Sequence, residues 1–93
     1  MLKTIWKFEL ETTDVQRIEM PACSEILCIQ TQNEKPCIWA LVLPSNSEAK
    51  VKRTFEIFGT GHNVPRADRK YIGTYQLNGG SLVFHCFELF RLL

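Results

Sequence analysis

The sequence predicts an all-β single domain over residues 1–93: a small antiparallel sandwich or partly open barrel of about seven strands, mostly in meander order. Three observations predict it. Apolar and polar residues alternate with period two along most of the chain, the signature of half-buried strands. Turn-forming clusters recur roughly every 8–12 residues. No stretch of about ten residues carries the 3.6-residue period of a helix.

The first strand is Ile5 to Leu10, with Trp6, Phe8 and Leu10 on one face and Lys7 and Glu9 on the other. Polar Glu11 to Asp14 reads as a turn. Val15 to Met20 alternates again, with Gln16, Ile18 and Met20 inward, until Pro21, which lacks the N–H a ladder needs. These two stretches are expected to form a first hairpin. Glu25 to Thr31 and Cys37 to Leu43 are the strongest runs. The second is nearly continuous in apolar residues, which predicts a central strand. Between them Gln32 to Pro36 reads as a hairpin turn, with Asn33 suited to a left-handed conformation.

Pro44 to Lys50 is polar and aperiodic, the clearest loop. Val51 to Phe58 alternates, and Gly59 to Asp68 is too rich in turn formers for a strand. Arg69 to Leu77 resumes one, with Tyr71, Gly73 and Tyr75 expected on one face. Asn78-Gly79-Gly80-Ser81 is a hairpin signal, because glycine accepts the positive φ of tight turns. Leu82 to Leu89 is apolar on both faces and should be central or contribute to an interface. The predicted core is Trp6, Phe8, Ile29, Trp39, Leu41, Phe55, Ile57, Ile72, Phe84 and Phe87.

Composition narrows the function classes. Hydrophobic residues at 45% and charged residues at 23% suit a folded domain and argue against disorder. Eleven Lys and Arg against ten Asp and Glu leave a net charge of +1, too little excess for an ordinary nucleic-acid binder. No apolar run approaches the roughly 18 residues of a membrane span. Charged residues arrive too early in Met1 to Lys7 for a secretory signal, so an intracellular setting is expected. The four cysteines, Cys23, Cys28, Cys37 and Cys86, include no C-x-x-C pair. Free thiols are expected, with Cys28, Cys37 and Cys86 acting as small buried hydrophobes. A zinc site from Cys23, Cys28 and Cys37, with Cys86 or a histidine as fourth ligand, lacks the paired spacing such sites use. No metal and no cofactor are expected.

Candidate chemistry is sparse. Gly59-Thr60-Gly61-His62 could bare backbone N–H groups to an anion, with His62 and Arg66 beside it, and a phosphate-bearing ligand would suit that nest. The same glycines serve a sharp turn out of a strand, and that reading carries more weight. His85 adjoins Cys86, but neighbours on a strand point to opposite faces and cannot form a dyad. Glu9, Glu19, Glu56 and Glu88 fall on different strands, so no carboxylate pair announces itself. The chain is not expected to be an enzyme. Lys50, Lys52, Arg53, Arg69 and Lys70 would merge into one basic, partner-binding edge if strands 51–58 and 69–77 were neighbours. A solvated strand edge accounts for the same charges. The apolar ending, Phe87 to Leu93, suits either homo-oligomer burial or packing on the core.

Five segments together resemble a family of small phage and prophage proteins, labelled a domain of unknown function. They are Ile5 to Leu10, Lys35 to Val42, Phe58 to His62, Tyr71 to Gln76 and Leu82 to Glu88. The resemblance runs in order from Ile5 to Glu88. It implies a phage or prophage origin and a host bacterial cytoplasmic setting, and it supplies no catalytic residues. By context it implies a non-enzymatic protein that binds a host protein, such as an inhibitor of an anti-phage defence system (an anti-CRISPR or similar). One alternative is an oligomeric sponge for a nucleotide signal, using Gly59, Thr60, Gly61, His62 and Arg66. Another is a virion or assembly accessory protein.

Overall fold

A computed structural model describes residues 2–93. Seven strands form two antiparallel sheets, packed face to face and not closed into a barrel. β1 (Thr4–Glu9), β4 (Lys35–Val42) and β3 (Glu25–Gln32) make a three-stranded sheet in the order β1-β4-β3. β2 (Val15–Pro21), β5 (Lys50–Gly59), β7 (Leu82–Leu92) and β6 (Ala67–Leu77) make a four-stranded sheet in the order β2-β5-β7-β6. β4 and β7 are interior strands, as their two apolar faces require. The expected meander is not there. Only β3–β4 and β6–β7 are sequential hairpins, and β1 and β2 pair with β4 and β5 rather than with each other.

The turns follow from their residues. Asn33 and Glu34 both take positive φ, 53° and 65°, between the paired Gln32 and Lys35, the two-residue hairpin that matches strand twist. Asn78, Gly79 and Gly80 are also left-handed and lead into β7. Pro44–Asn46 is a single 3-10 turn carrying the chain from one sheet to the other.

The core lies between the sheets: Leu10, Met20, Ile29, Ile38, Ala40, Val42, Phe55, Ile57, Tyr75 and Cys86 are buried, with Trp6, Phe8, Ile72 and Phe84 packed against them. Trp39, Leu41 and Phe87, predicted to be core, lie on outer faces instead. Interior strands are apolar on both sides, so composition alone did not say which side faces in. A bulge at Ile72 has the same effect locally. Tyr71 pairs with Phe87 but Gly73 with Cys86, so Tyr71 turns outward while Gly73 and Tyr75 turn inward.

The sandwich is tight on one side and open on the other. β3 and β6 approach so closely that a Cβ on Gly73 would meet Ile29 Cγ2 at 2.9 Å. On the other side β1 and β2 are free edges. Between the sheets Arg53 donates to both carboxylate oxygens of buried Glu88 (Nε to Oε2, 2.7 Å; Nη2 to Oε1, 2.9 Å) and to the Ser24 carbonyl.

β5 and β6 run parallel, on either side of β7. Gly59 stands opposite Phe84 and Ala67 opposite Leu92, about 26 Å apart along β7. The chain from Gly59 to Ala67 reaches at most about 29 Å when fully extended. Residues 60–66 form a strap laid along the length of the sheet.

Candidate functional site

The loop carrying Gly59, Thr60, Gly61, His62 and Arg66 is the start of this strap. Gly59 and His62 close a turn, His62 N–H donating to the Gly59 carbonyl at 3.1 Å. The imidazole folds back onto Gly59, where any Cβ would come within 2.9 Å of His62 Cε1. Gly61 takes φ +88°, which L side chains rarely adopt. Both glycines thus have turn-making reasons to be there. The Thr60 and His62 amides already donate to the Val83 and Gly59 carbonyls, so two of the N–H groups an anion nest would use are engaged. Shallow clefts flank His62. One is lined by Thr12, Asp14, Ile57 and Phe84, the other by Thr60, Ser81 and Val83. Arg66 is exposed further along the strap.

The basic residues do not merge into one edge, because β7 separates β5 from β6. Arg53 points between the sheets to Glu88. Arg69 donates to Glu56 (Nε to Oε1, 2.8 Å) and to the Pro65 carbonyl of the strap. Lys50 and Lys52 on β5 and Lys70 on β6 remain exposed.

Instead, the outer face of the four-stranded sheet carries an organised cluster that the sequence did not announce. Its rows are Phe58–His85–Thr74, Glu56–Phe87–Tyr71 and Thr54–Leu89–Arg69. Phe87 meets Phe58 and Tyr71 edge-on, with centroids 5.8 and 5.4 Å away. The Arg69 guanidinium lies over Phe58 and Phe87, and the Arg69 and Glu56 side chains are only 10% and 11% exposed. His85 is held at both ring nitrogens, Nδ1 by Thr74 Oγ1 at 2.9 Å and Nε2 by Thr60 Oγ1 at 2.7 Å. Tyr71 Oη reaches Thr74 Oγ1 at 2.5 Å. Pairing across three strands and a strap cannot be read from local spacing, which is why this cluster was missed.

The thiols and remaining polar groups follow burial. Cys86 lies on the inner face, opposite in direction to His85. Burial, with Glu88 nearby, pushes its thiol up to about 12. Tyr75 is raised by burial, against which its 2.8 Å hydrogen bond to Thr12 pulls. The four cysteines are free, and no cluster of metal-ligating side chains occurs among the described residues. No helix among those residues is long and apolar enough to cross a membrane.

The outer face of the three-stranded sheet is built differently. Its rows are Ile5–Leu41–Glu25, Lys7–Trp39–Cys28 and Glu9–Cys37–Gln30. Lys7 Nζ donates to Gln32 Oε1 at 2.8 Å, crossing from β1 to β3, and Cys37 beneath that span is buried. Above it Ile5 is 58% exposed, Trp39 and Leu41 are half-buried, and Leu27 projects from a bulge in β3 with 44% exposed. The apolar ending also leaves Phe90, Leu92 and Leu93 exposed, since β7 outruns β5 and pairs there with β6 alone.

Compared with known families, residues 1–91 match one described as a domain of unknown function (DUF7352). No curated protein and no solved structure matches the chain.

Proposed function

The chain belongs to this family of domains of unknown function, and from there we propose that it is a non-enzymatic binding protein that docks a partner protein on the outer face of its three-stranded sheet. The observation that carries the reading is the apolar group of Ile5, Leu27, Trp39 and Leu41, raised on a rigid interior strand and its neighbours and framed by Lys7, Glu9 and Glu25. An apolar centre with a polar rim is the anatomy of a protein interface. Tryptophan is the residue type most often found at an energetic hot spot, and here it sits mid-face.

The resemblance to small phage proteins supplies the partner's class: a host protein in the bacterial cytoplasm, with the domain inhibiting an anti-phage defence system. Nucleotide sequestration is the weaker reading, because the amides of Thr60 and His62 are already engaged.

The test is capture of host protein by tagged wild type and by a Leu27→Lys/Leu41→Lys variant. Leu41 lies opposite Glu25, so a lysine there gains a cross-strand partner and the fold is preserved. The expected result is one stoichiometric host protein, retained by wild type and lost by the variant at unchanged melting temperature. Equal retention by both proteins, or retention by neither, overturns the reading.

A further inference from the structure

The open side of the sandwich carries a second surface, which meets the one proposed above at Lys7 and Glu9 of β1. In β1, Leu10 N–H donates to the Pro36 carbonyl at 2.9 Å, which places Leu10 in a hydrogen-bonded pair with β4. Alternation then turns the backbone groups of Phe8 and Trp6 towards β4 and those of Ile5, Lys7 and Glu9 towards the free edge. In β2, Ile57 N–H donates to the Asp14 carbonyl at 3.1 Å, and the same alternation leaves Val15, Arg17 and Glu19 facing out along the edge.

Both edges therefore repeat one pattern: a cation, an apolar residue directed inward, and a carboxylate, as Lys7-Phe8-Glu9 and Arg17-Ile18-Glu19. Charged edges ordinarily repel a further strand. These two are instead complementary to their own reversal. An antiparallel copy of β1 paired about Phe8 sets Lys7 opposite Glu9 twice, with the free backbone groups in phase. An antiparallel copy of β2 paired about Ile18 sets Arg17 opposite Glu19 twice. Phe8 and Ile18, half-buried at the rim of the core, would each meet their own counterpart.

Both centres lie between the same two levels of the sandwich. Gln16 holds the Glu11 backbone through hydrogen bonds of 2.6 and 3.0 Å. At the other end Trp6 shares an open cleft with Lys50, the residue paired with Pro21. Phe8 sits between these two levels on β1, and Ile18 between them on β2. That common span suits one two-fold axis through both pairs.

We propose that the partner of this open side is a second copy of the chain, joined edge to edge through β1 and β2 about a single two-fold axis, which extends the sheets to six and eight strands. The test uses three proteins: wild type, an acidic-edge variant (Lys7→Glu/Arg17→Glu) and a basic-edge variant (Glu9→Lys/Glu19→Lys). Masses are measured by light scattering across a concentration series. Wild type is expected at twice the chain mass. Each variant alone is expected as a monomer, its dissociation constant raised at least about tenfold by opposed like charges. An equimolar mixture of the two variants is expected to recover the doubled mass, because every edge charge then meets its opposite. That recovery also shows that both variants are folded. A monomeric wild type, variants that dimerise as well as wild type, or a mixture that stays monomeric overturns the proposal.

Discussion

On the four-stranded sheet, Arg69 lies across Phe58 and Phe87, is paired to Glu56, and is held from above by the Pro65 carbonyl. On the three-stranded sheet, Ile5 and Leu27 rise beside Trp39 and Leu41 with only Lys7 and Gln32 reaching across a corner. The two faces start from similar raw material, aromatic and branched residues on interior strands. They differ in what the chain lays over them. The β5–β6 crossover obliges a strap to run along one sheet, and that strap turns its outer face into a second, smaller packed region. The short hairpin joining β3 and β4 offers the other sheet no such cover. The comparison teaches that an apolar residue on an outer face acquires meaning from the connections passing over it.

The difference should appear first as stability. Arg69→Ala strands the Glu56 carboxylate where it is 11% exposed, and a loss of about 3 kcal/mol in urea unfolding is expected. Replacing both partners, as Arg69→Met with Glu56→Leu, should recover most of that loss. If the single change costs less than a surface substitution, the face is not the packed region described.

His85→Ala comes next. It removes the acceptor and donor that order Thr74 and Thr60, and about 1 kcal/mol should be lost. Amide exchange should quicken at Thr60 and its neighbours in the strap, while the three-stranded sheet stays unchanged.

On the barer face, Ile5→Ser should shift stability by no more than about 0.5 kcal/mol. A larger loss would mean that this face packs against something within the domain.

The smallest effect is on thiol labelling. Cys23 is exposed and Cys28 half-buried on the bare face, so both should react in the native protein. Buried Cys37 and Cys86 should react only on unfolding, the latter also held protonated with its thiol at about 12. Protection of Cys28 on adding a partner would map that partner to the three-stranded face.

Strand existence was legible because period two survives in most segments and the β4 and β7 segments stand out as short apolar runs, and the turns at Asn33 and at Asn78–Gly80 announced themselves through residues that accept positive φ. Pairing was not legible. Nothing local in Thr4–Glu9 distinguishes β4 as its partner from β2, and the hairpin expected between β1 and β2 gave way to longer-range pairs. The inward side of the interior strands was equally hidden, which put Trp39, Leu41 and Phe87 in the wrong layer. Among the candidate site residues, the sharp turn expected of Gly59 and Gly61 is present, closed by the His62 amide. The partners of Arg53 and Arg69 are 35 and 13 residues away in the chain, beyond any motif.

The strand order has a consequence for how this domain comes into being. β7 follows both of its neighbours in the chain, yet it is the strand on which β5 and β6 must both assemble. Until it emerges from the ribosome, the β2–β5 pair exposes a raw edge and β6 has no sheet to join. Few contacts are local, so collapse should be slow by the standards of small domains, with a single late commitment step. A chaperone that shields half-made sheets would find its substrate in that interval.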